Sequence, residues 1–312
     1  MRFRLFLIAW LAGGAALHAQ VRVEVSVNRG LYIRYEPIVA TVSLTNLSGR
    51  ELELSDDGSQ PWFGFQIQTS DGRPVSTRTA GYQLNPAQVG PGQSLTRQIN
   101  LTPIYAMDQF GGYRIRASVF LKSDRQFYSS PPISLEITDG RQVWQQKVGV
   151  PVGQPDEGTT RTITLLAHRL PQSTALYIRI EDPERGRIFC THRIGRFVNF
   201  GPPTVELDSQ NQVHILQLLA PRNYLYSHFG LNGEVLDRKL YTSTGTPPRM
   251  QRTPDGFVQV VGGQFLDPNA APAEKPEESI NARPVPLPNL PGSSVKPPSP
   301  APAPSIPKAK KD

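Results

Sequence analysis

Cys190 and His192 are the two side chains whose types and spacing come nearest to a reactive pair. One residue apart on an extended strand, they point to the same face. A thiolate and an imidazole so placed can act as nucleophile and base, or share a metal ion. Neither Cys-x-x-Cys nor His-Glu-x-x-His accompanies them, and two protein donors do not make a zinc site. His168, His214 and His228 fall in separate predicted strands whose faces the sequence leaves open. There is no Gly-x-Ser-x-Gly elbow for a serine nucleophile and no glycine-rich phosphate loop. Asp56-Asp57-Gly58 opens like a calcium loop but lacks the acidic twelfth ligand, so it reads as a turn. Glu181-Asp182-Pro183-Glu184-Arg185 is an acidic loop with no definable cleft for a glycosidase carboxylate pair. No catalytic, cofactor or metal residue is therefore expected. Cys190 and His192 remain the weak alternative for a hydrolase.

Aromatic clusters offer binding surface instead. Trp62, Phe63 and Phe65 form one group; Tyr224, Tyr226 and Phe229 form another. Neighbouring residues of a strand point to opposite faces, so each group is expected to place a ring off the core. Phe63, Tyr226 and Phe229 are the expected contact residues, for a protein or glycan partner. Asn46-Leu47-Ser48 and Asn100-Leu101-Thr102 match the N-glycosylation pattern.

The elements that must carry these residues read as strands. Val21, Val23, Val25 and Val27 alternate with polar residues, and Ile38, Ala40, Val42 and Leu44 repeat the pattern. Period two means one buried face and one wet face. Asn46-Leu47-Ser48-Gly49 and Ser70-Asp71-Gly72-Arg73 are turn sequences, the second with a glycine suited to positive φ. Further strands are predicted around Ser94–Leu101, Tyr113–Leu121 and Ile133–Ile137. About seven short strands at this spacing predict a β-sandwich over 20–138. Tyr35-Glu36-Pro37-Ile38-Val39, Leu44-Thr45-Asn46, Pro91-Gly92-Gln93-Ser94 and Gly112-Tyr113-Arg114-Ile115-Arg116-Ala117 resemble the immunoglobulin-like modules of exported bacterial proteins and the BsuPI proteinase inhibitor family. The resemblance implies a sandwich and places Tyr113 as a tyrosine corner whose hydroxyl meets nearby backbone. It also raises proteinase inhibition as an alternative activity, although no reactive loop can be named.

Residues 139–266 repeat themselves. Thr162 to Arg169 matches His214 to Arg222, Ala175-Leu176-Tyr177-Ile178 matches Tyr224 to Ser227, and Gly186-Arg187-Ile188 matches Gly233-Glu234-Val235. Gly256 to Val261 is a fainter echo. Each unit reads as a β-meander and resembles a β-propeller blade. Two and a half units are fewer than a propeller needs. Three arrangements stay open: a closed barrel or sandwich, a partial propeller completed by another chain with homo-oligomerisation, or a chance echo.

The ends are of another kind. Arg2 and Arg4 precede the apolar stretch Leu5–Ala16, and Ala19 closes a small-residue cleavage pattern, so 1–19 reads as a signal peptide. Cleavage there lowers the net charge from +7 to +5. Mild basicity without a Lys/Arg stripe argues against nucleic-acid binding. No later apolar run is long enough to span a bilayer, so no transmembrane segment is expected in the mature chain. Residues 267–312 hold 13 Pro and no aromatic residue, a composition that cannot offset its ordering entropy and predicts a disordered, Pro-rich spacer. One unpaired Cys rules out a disulfide framework. The fold class expected is all-β: an immunoglobulin-like sandwich, a repeated meander domain and a tail. The function expected is a non-enzymatic binding or scaffold protein exported to the periplasm, cell surface or medium.

Overall fold

The computed structural model describes residues 21–78 and 84–267. The predicted signal segment and all of the predicted tail except Asp267 lie outside the described residues. The chain is all-β: the described residues form strands and turns without a helix, so none is long and apolar enough to cross a membrane.

Among the described residues, ten strands build the first body: β1 (Val21–Val27), β2 (Leu31–Ile33), β3 (Val39–Asn46), β4 (Leu52–Leu54), β5 (Phe63–Thr69), β6 (Ala87–Val89), β7 (Ser94–Asn100), β8 (Gly111–Leu121), β9 (Gln126–Ser129) and β10 (Ile133–Thr138). They form a sheet ordered β1-β3-β7 and a second ordered β2-β10-β8-β5, with β9 beside β8 and a β4-β6 ladder. Alternation decides which face is inside. Val23 lies opposite Leu44 and Val25 opposite Val42, and all four are buried with Ile67, Ile115, Ala117 and Val119 from the other sheet. Burying each such side chain contributes roughly 1.5–3 kcal/mol. Gly72 turns the predicted hairpin at φ +88°, where a side chain is disfavoured. The Tyr113 hydroxyl donates to the Gln109 carbonyl at 2.7 Å, as a tyrosine corner requires. Asn46, in contrast, is no sugar acceptor. It is fully buried, and its amide donates to the carbonyls of Arg50 and Val89.

Eleven strands follow: β11 (Arg141–Gly149), β12 (Thr160–Arg169), β13 (Thr174–Asp182), β14 (Arg187–Arg196), β15 (Thr204–Leu207), β16 (Val213–Ala220), β17 (Asn223–Phe229), β18 (Val235–Thr242), β19 (Arg249–Arg252), β20 (Val258–Val261) and β21 (Gln264–Leu266). The repeat is a structural one. β11-β12-β13-β14 and β15-β16-β17-β18 are both antiparallel meanders, the latter extended by β21. Ile163, Leu165, Ile178 and Ile180 of one share a core with Val213, Ile215, Leu225 and Phe229 of the other. Of the open arrangements, two sheets facing one core is the one adopted. The faint third echo is the return arm of the β19-β20 hairpin rather than a third meander.

The two bodies belong to one compact unit. β12 and β13 are buried on both faces. One face meets the second meander; on the other, Leu166, Ala175 and Tyr177 cluster with Ile33 of the first body. A polar frame surrounds this small apolar seam. Arg29 donates to the Tyr177 hydroxyl at 3.0 Å and to the buried Glu36 carboxylate at 2.5 Å. Arg179 donates to the Arg34 carbonyl at 2.9 Å and to Thr191 Oγ1 at 3.2 Å. His168 Nε2 lies 2.7 Å from Thr138 Oγ1. The seam thus joins residues about 145 positions apart through bonds to charged groups, which are stronger than neutral ones.

Candidate functional site

Polar side chains concentrate on the outer face of the second meander, away from the shared core. β16 and β17 pair so that His214 lies directly opposite His228, and Leu216 opposite Tyr226. β15 adds Glu206 opposite His214, and β18 adds Asp237 opposite His228. One face therefore carries Glu206, His214, His228, Tyr226 and Asp237 side by side. Asp208, in the turn between β15 and β16, closes the group.

Asp208 is fixed by its own turn. Its Oδ1 accepts from the backbone amides of Gln210 and Gln212 at 2.8 and 2.9 Å, which leaves Oδ2 facing His214 Nε2 at 3.2 Å. Asn211 takes φ +59°, a left-handed conformation that Asn tolerates in such turns. On its other side, His214 Nδ1 lies 2.7 Å from the Tyr226 hydroxyl. Both ring nitrogens are thus engaged, and the bond to Asp208 sets the tautomer. Nε2–H donates to the carboxylate, while Nδ1 accepts from Tyr226. The His228 ring stacks on His214 with centroids 4.0 Å apart and planes 17° apart. Its Nε2 meets Gln212 Oε1 at 2.9 Å.

Burial sets the charge states. Asp208 and His214 are buried and His228 is half-buried. Burial pulls the His214 imidazole below its ordinary range, and the adjacent Asp208 carboxylate only partly opposes it. Burial, then the neighbouring His214, pulls His228 down likewise. Burial, reinforced by Asp237, pushes the Tyr226 phenol up. Two neutral stacked imidazoles beside a carboxylate result. One nitrogen of each ring and one Asp208 oxygen lie within 4.8 Å of one another, so these three residues could hold a metal ion. The β19-β20 hairpin is pinned at this end of the face: Arg252 donates to the Leu207 carbonyl, and the Ser209 amide donates to the Gly256 carbonyl at 3.0 Å.

Cys190 and His192 do share a face, but it is the core face. Their cross-strand partners are Ile180 and Ile178, both in the shared core. The Cys190 sulfur packs against Gly233, where an added Cβ would lie 2.7 Å away. Burial pushes its thiol up to about 11, so it is a thiol and not a nucleophilic thiolate at neutral pH. The His192 ring packs against Phe229 at 5.8 Å, and among the described residues no hydrogen bond joins it to Cys190.

The expected aromatic surface is corrected. Phe63, Tyr226 and Phe229 are 5%, 6% and 1% exposed. Phe229 belongs to the shared core. Phe63 packs edge-on to Phe65 inside the sandwich. The alternation rule misleads at Trp62 because that residue precedes β5. Its amide is held by Asp56 and its indole N–H donates to the Leu84 carbonyl, so it also turns inward. Tyr226 does lie on the face away from the core, as alternation predicts, yet it is covered and bonded to His214. The acidic loop after β13 is structural as well. Asp182, 1% exposed, faces Arg161, also 1% exposed, at 3.5 Å.

No family model and no curated protein matches this chain. Among solved structures it is similar to a CARDB domain from Pyrococcus furiosus, crystallised in complex with di-metal ions. The identity is 17%, with 38% of this chain and 87% of that chain covered at a TM-score of 0.24. It is also similar to the Bacillus subtilis sporulation control protein Spo0M, at 10% identity over 56% of this chain and 84% of that one, TM-score 0.28. The periplasmic chaperone SfaE matches at 11% identity over 69% of this chain and 97% of its own, TM-score 0.22. These likenesses are remote, and the fold rests on the strand pairing itself.

Proposed function

We propose that this chain is an exported, non-enzymatic binding or scaffold protein of the cell envelope, holding two β bodies in a fixed relation on a Pro-rich spacer. The seam is the observation that carries this reading. A linker would leave two sandwiches free to turn, whereas Arg29, Glu36, Tyr177, Arg179 and Arg34 tie them through bonds between residues far apart in sequence. A composite surface presented rigidly costs little ordering entropy on binding. The N-terminal segment and the tail composition support export and reach. The partner class is an envelope protein or glycan.

Cosedimentation of the chain from Gln20 onward with isolated envelopes tests the reading. Binding is expected to survive Cys190→Ala and to fall when Leu166→Asp places a charge in the apolar seam. Protease-treated envelopes separate a protein partner from a glycan. Hydrolytic turnover that Cys190→Ala abolishes would overturn the proposal.

A further inference from the structure

We propose that Asp208, His214 and His228 bind one borderline divalent transition-metal ion, of the Zn²⁺ class, on the outer face of the second meander. Three observations carry the assignment beyond the scaffold reading.

The first is donor placement. Asp208 Oδ2 and His214 Nε2 are 3.2 Å apart, and one oxygen of Asp208 and one nitrogen of each imidazole lie within 4.8 Å of one another. Ligands of a tetrahedral ion at about 2.0–2.1 Å stand roughly 3.3 Å from each other, so two of the three donors already hold the required separation.

The second is the support behind each donor. Metal-binding imidazoles and carboxylates are typically held by outer hydrogen bonds that fix their orientation. Two backbone amides anchor Asp208 through Oδ1 and leave Oδ2 for the ion. Tyr226 anchors His214 through Nδ1, and Gln212 anchors the His228 ring. On binding, the ion takes the place of the His214 Nε2 proton. That proton moves to Nδ1, and the Tyr226 hydroxyl turns from donor to acceptor. No proton is released, and the site gains the two positive charges of the ion.

The third is the local field. With Glu206 and Asp237, Asp208 makes three carboxylates, against the two cations Arg252 and Lys239 that face them. The neighbourhood therefore favours an added cation. Two imidazoles and one carboxylate select Zn²⁺, Co²⁺, Ni²⁺ or Cu²⁺ over Ca²⁺ and Mg²⁺, which prefer oxygen cages. The lone pairs of stacked rings run side by side. Sharing an ion thus requires His228, the half-buried member, to tilt from its 17° stack.

The test uses tag-free protein from Gln20 onward, stripped with chelator and titrated with Co²⁺ by absorption and with Zn²⁺ by calorimetry. One ion per chain with visible d–d bands is expected, undisturbed by excess Ca²⁺. His228→Gln should weaken Zn²⁺ binding by more than about tenfold, because even outer-shell losses cost 10–100-fold. Asp208→Asn, which can still accept from Gln210 and Gln212, should do the same with an unchanged circular dichroism spectrum. If that variant fails to fold, His228→Gln decides alone. An absence of stoichiometric binding overturns the assignment, as does equal binding by the wild type and His228→Gln.

Discussion

Replacing Arg29 with Met is the sharpest probe of the seam. The guanidinium sits between the buried Glu36 carboxylate and the Tyr177 hydroxyl, at 2.5 and 3.0 Å. Glu36 is only 6% exposed, so Arg29→Met leaves a nearly buried charge without its counter-ion. Breaking a fully buried pair from one side costs about 3–5 kcal/mol. The Arg29 side chain is 21% exposed, and the Ile33 amide still donates to Glu36 at 3.3 Å, so solvent and backbone recover part of that. A loss of about 2–3 kcal/mol follows. With a urea m-value of about 3 kcal/mol/M, the unfolding midpoint should fall by nearly 1 M. Magnitude alone would not separate a broken ion pair from lost packing, but the double variant does. Arg29→Met with Glu36→Gln removes the orphaned charge and should be more stable than Arg29→Met alone. Urea titrations followed by intrinsic fluorescence and by circular dichroism would measure both. A double variant less stable than Arg29→Met would refute the buried-pair account. Two separated transitions in the wild type would refute a single cooperative body.

Acidification should destabilise the fold through its histidines. Burial is the first cause pulling His168, His192, His214 and His228 below their ordinary range, so in the fold each is depressed relative to the unfolded chain. The unfolded chain then binds more protons, and stability present above about pH 6.5 is lost as pH falls, by up to about 1.4 kcal/mol per pH unit for each histidine. A melting temperature unchanged from pH 7.5 to 5.5 would contradict this. Cys190, its thiol pushed up to about 11 by burial, should resist iodoacetamide at pH 8 in the native state and react on unfolding; mass spectrometry distinguishes the two. Gly233→Ala should destabilise by about 2 kcal/mol or more, because φ there is +88° and the new Cβ would lie 2.5 Å from the Cys190 Cβ. Cys190→Ala in the same chain keeps that Cβ, so it should relieve only the part of the loss that the sulfur causes.

The first body was legible because alternation is a local signal. Val21 to Val25 and Ile38 to Leu44 each show which face is inside without knowledge of their partners, and burial follows that pattern. The tyrosine corner was legible for the same reason: Tyr113 bonds to a carbonyl four residues away. The seam was not. Arg29, Glu36 and Arg179 look like ordinary surface charges in sequence. Only the stacking of β12 and β13 against a second body makes Tyr177 and Leu166 interior on both sides.

The histidine cluster shows how one residue can hide a site. The meander reading implies a hairpin between β16 and β17, and Pro221-Arg222-Asn223 between them is turn chemistry. Pairing begins at the turn with Ala220 opposite Asn223. Continued without interruption, that register puts His214 opposite Phe229 and His228 opposite Ile215, on opposite faces of the sheet. A bulge between Leu218 and Ala220 shifts the pairing by one residue and brings His214 opposite His228. Asp208 then completes the group from the turn between β15 and β16, where an Asp-Ser-Gln-Asn run is ordinary turn chemistry in sequence. No side chain in the hairpin announces the bulge. Its cause lies in the packing of both faces: Val213, Ile215, Leu225 and Phe229 must meet the shared core while Tyr226 reaches His214. The chemistry of this face is therefore a property of register, and deleting Leu219 tests how the bulge sets it. With the extra residue gone, Ala220 still pairs with Asn223 and Leu218 with Tyr224, so His214 stays opposite His228 and Zn²⁺ uptake in the titration above should survive. Loss of uptake in a folded deletion variant would show that pairing His214 with His228 is not enough to position the donors.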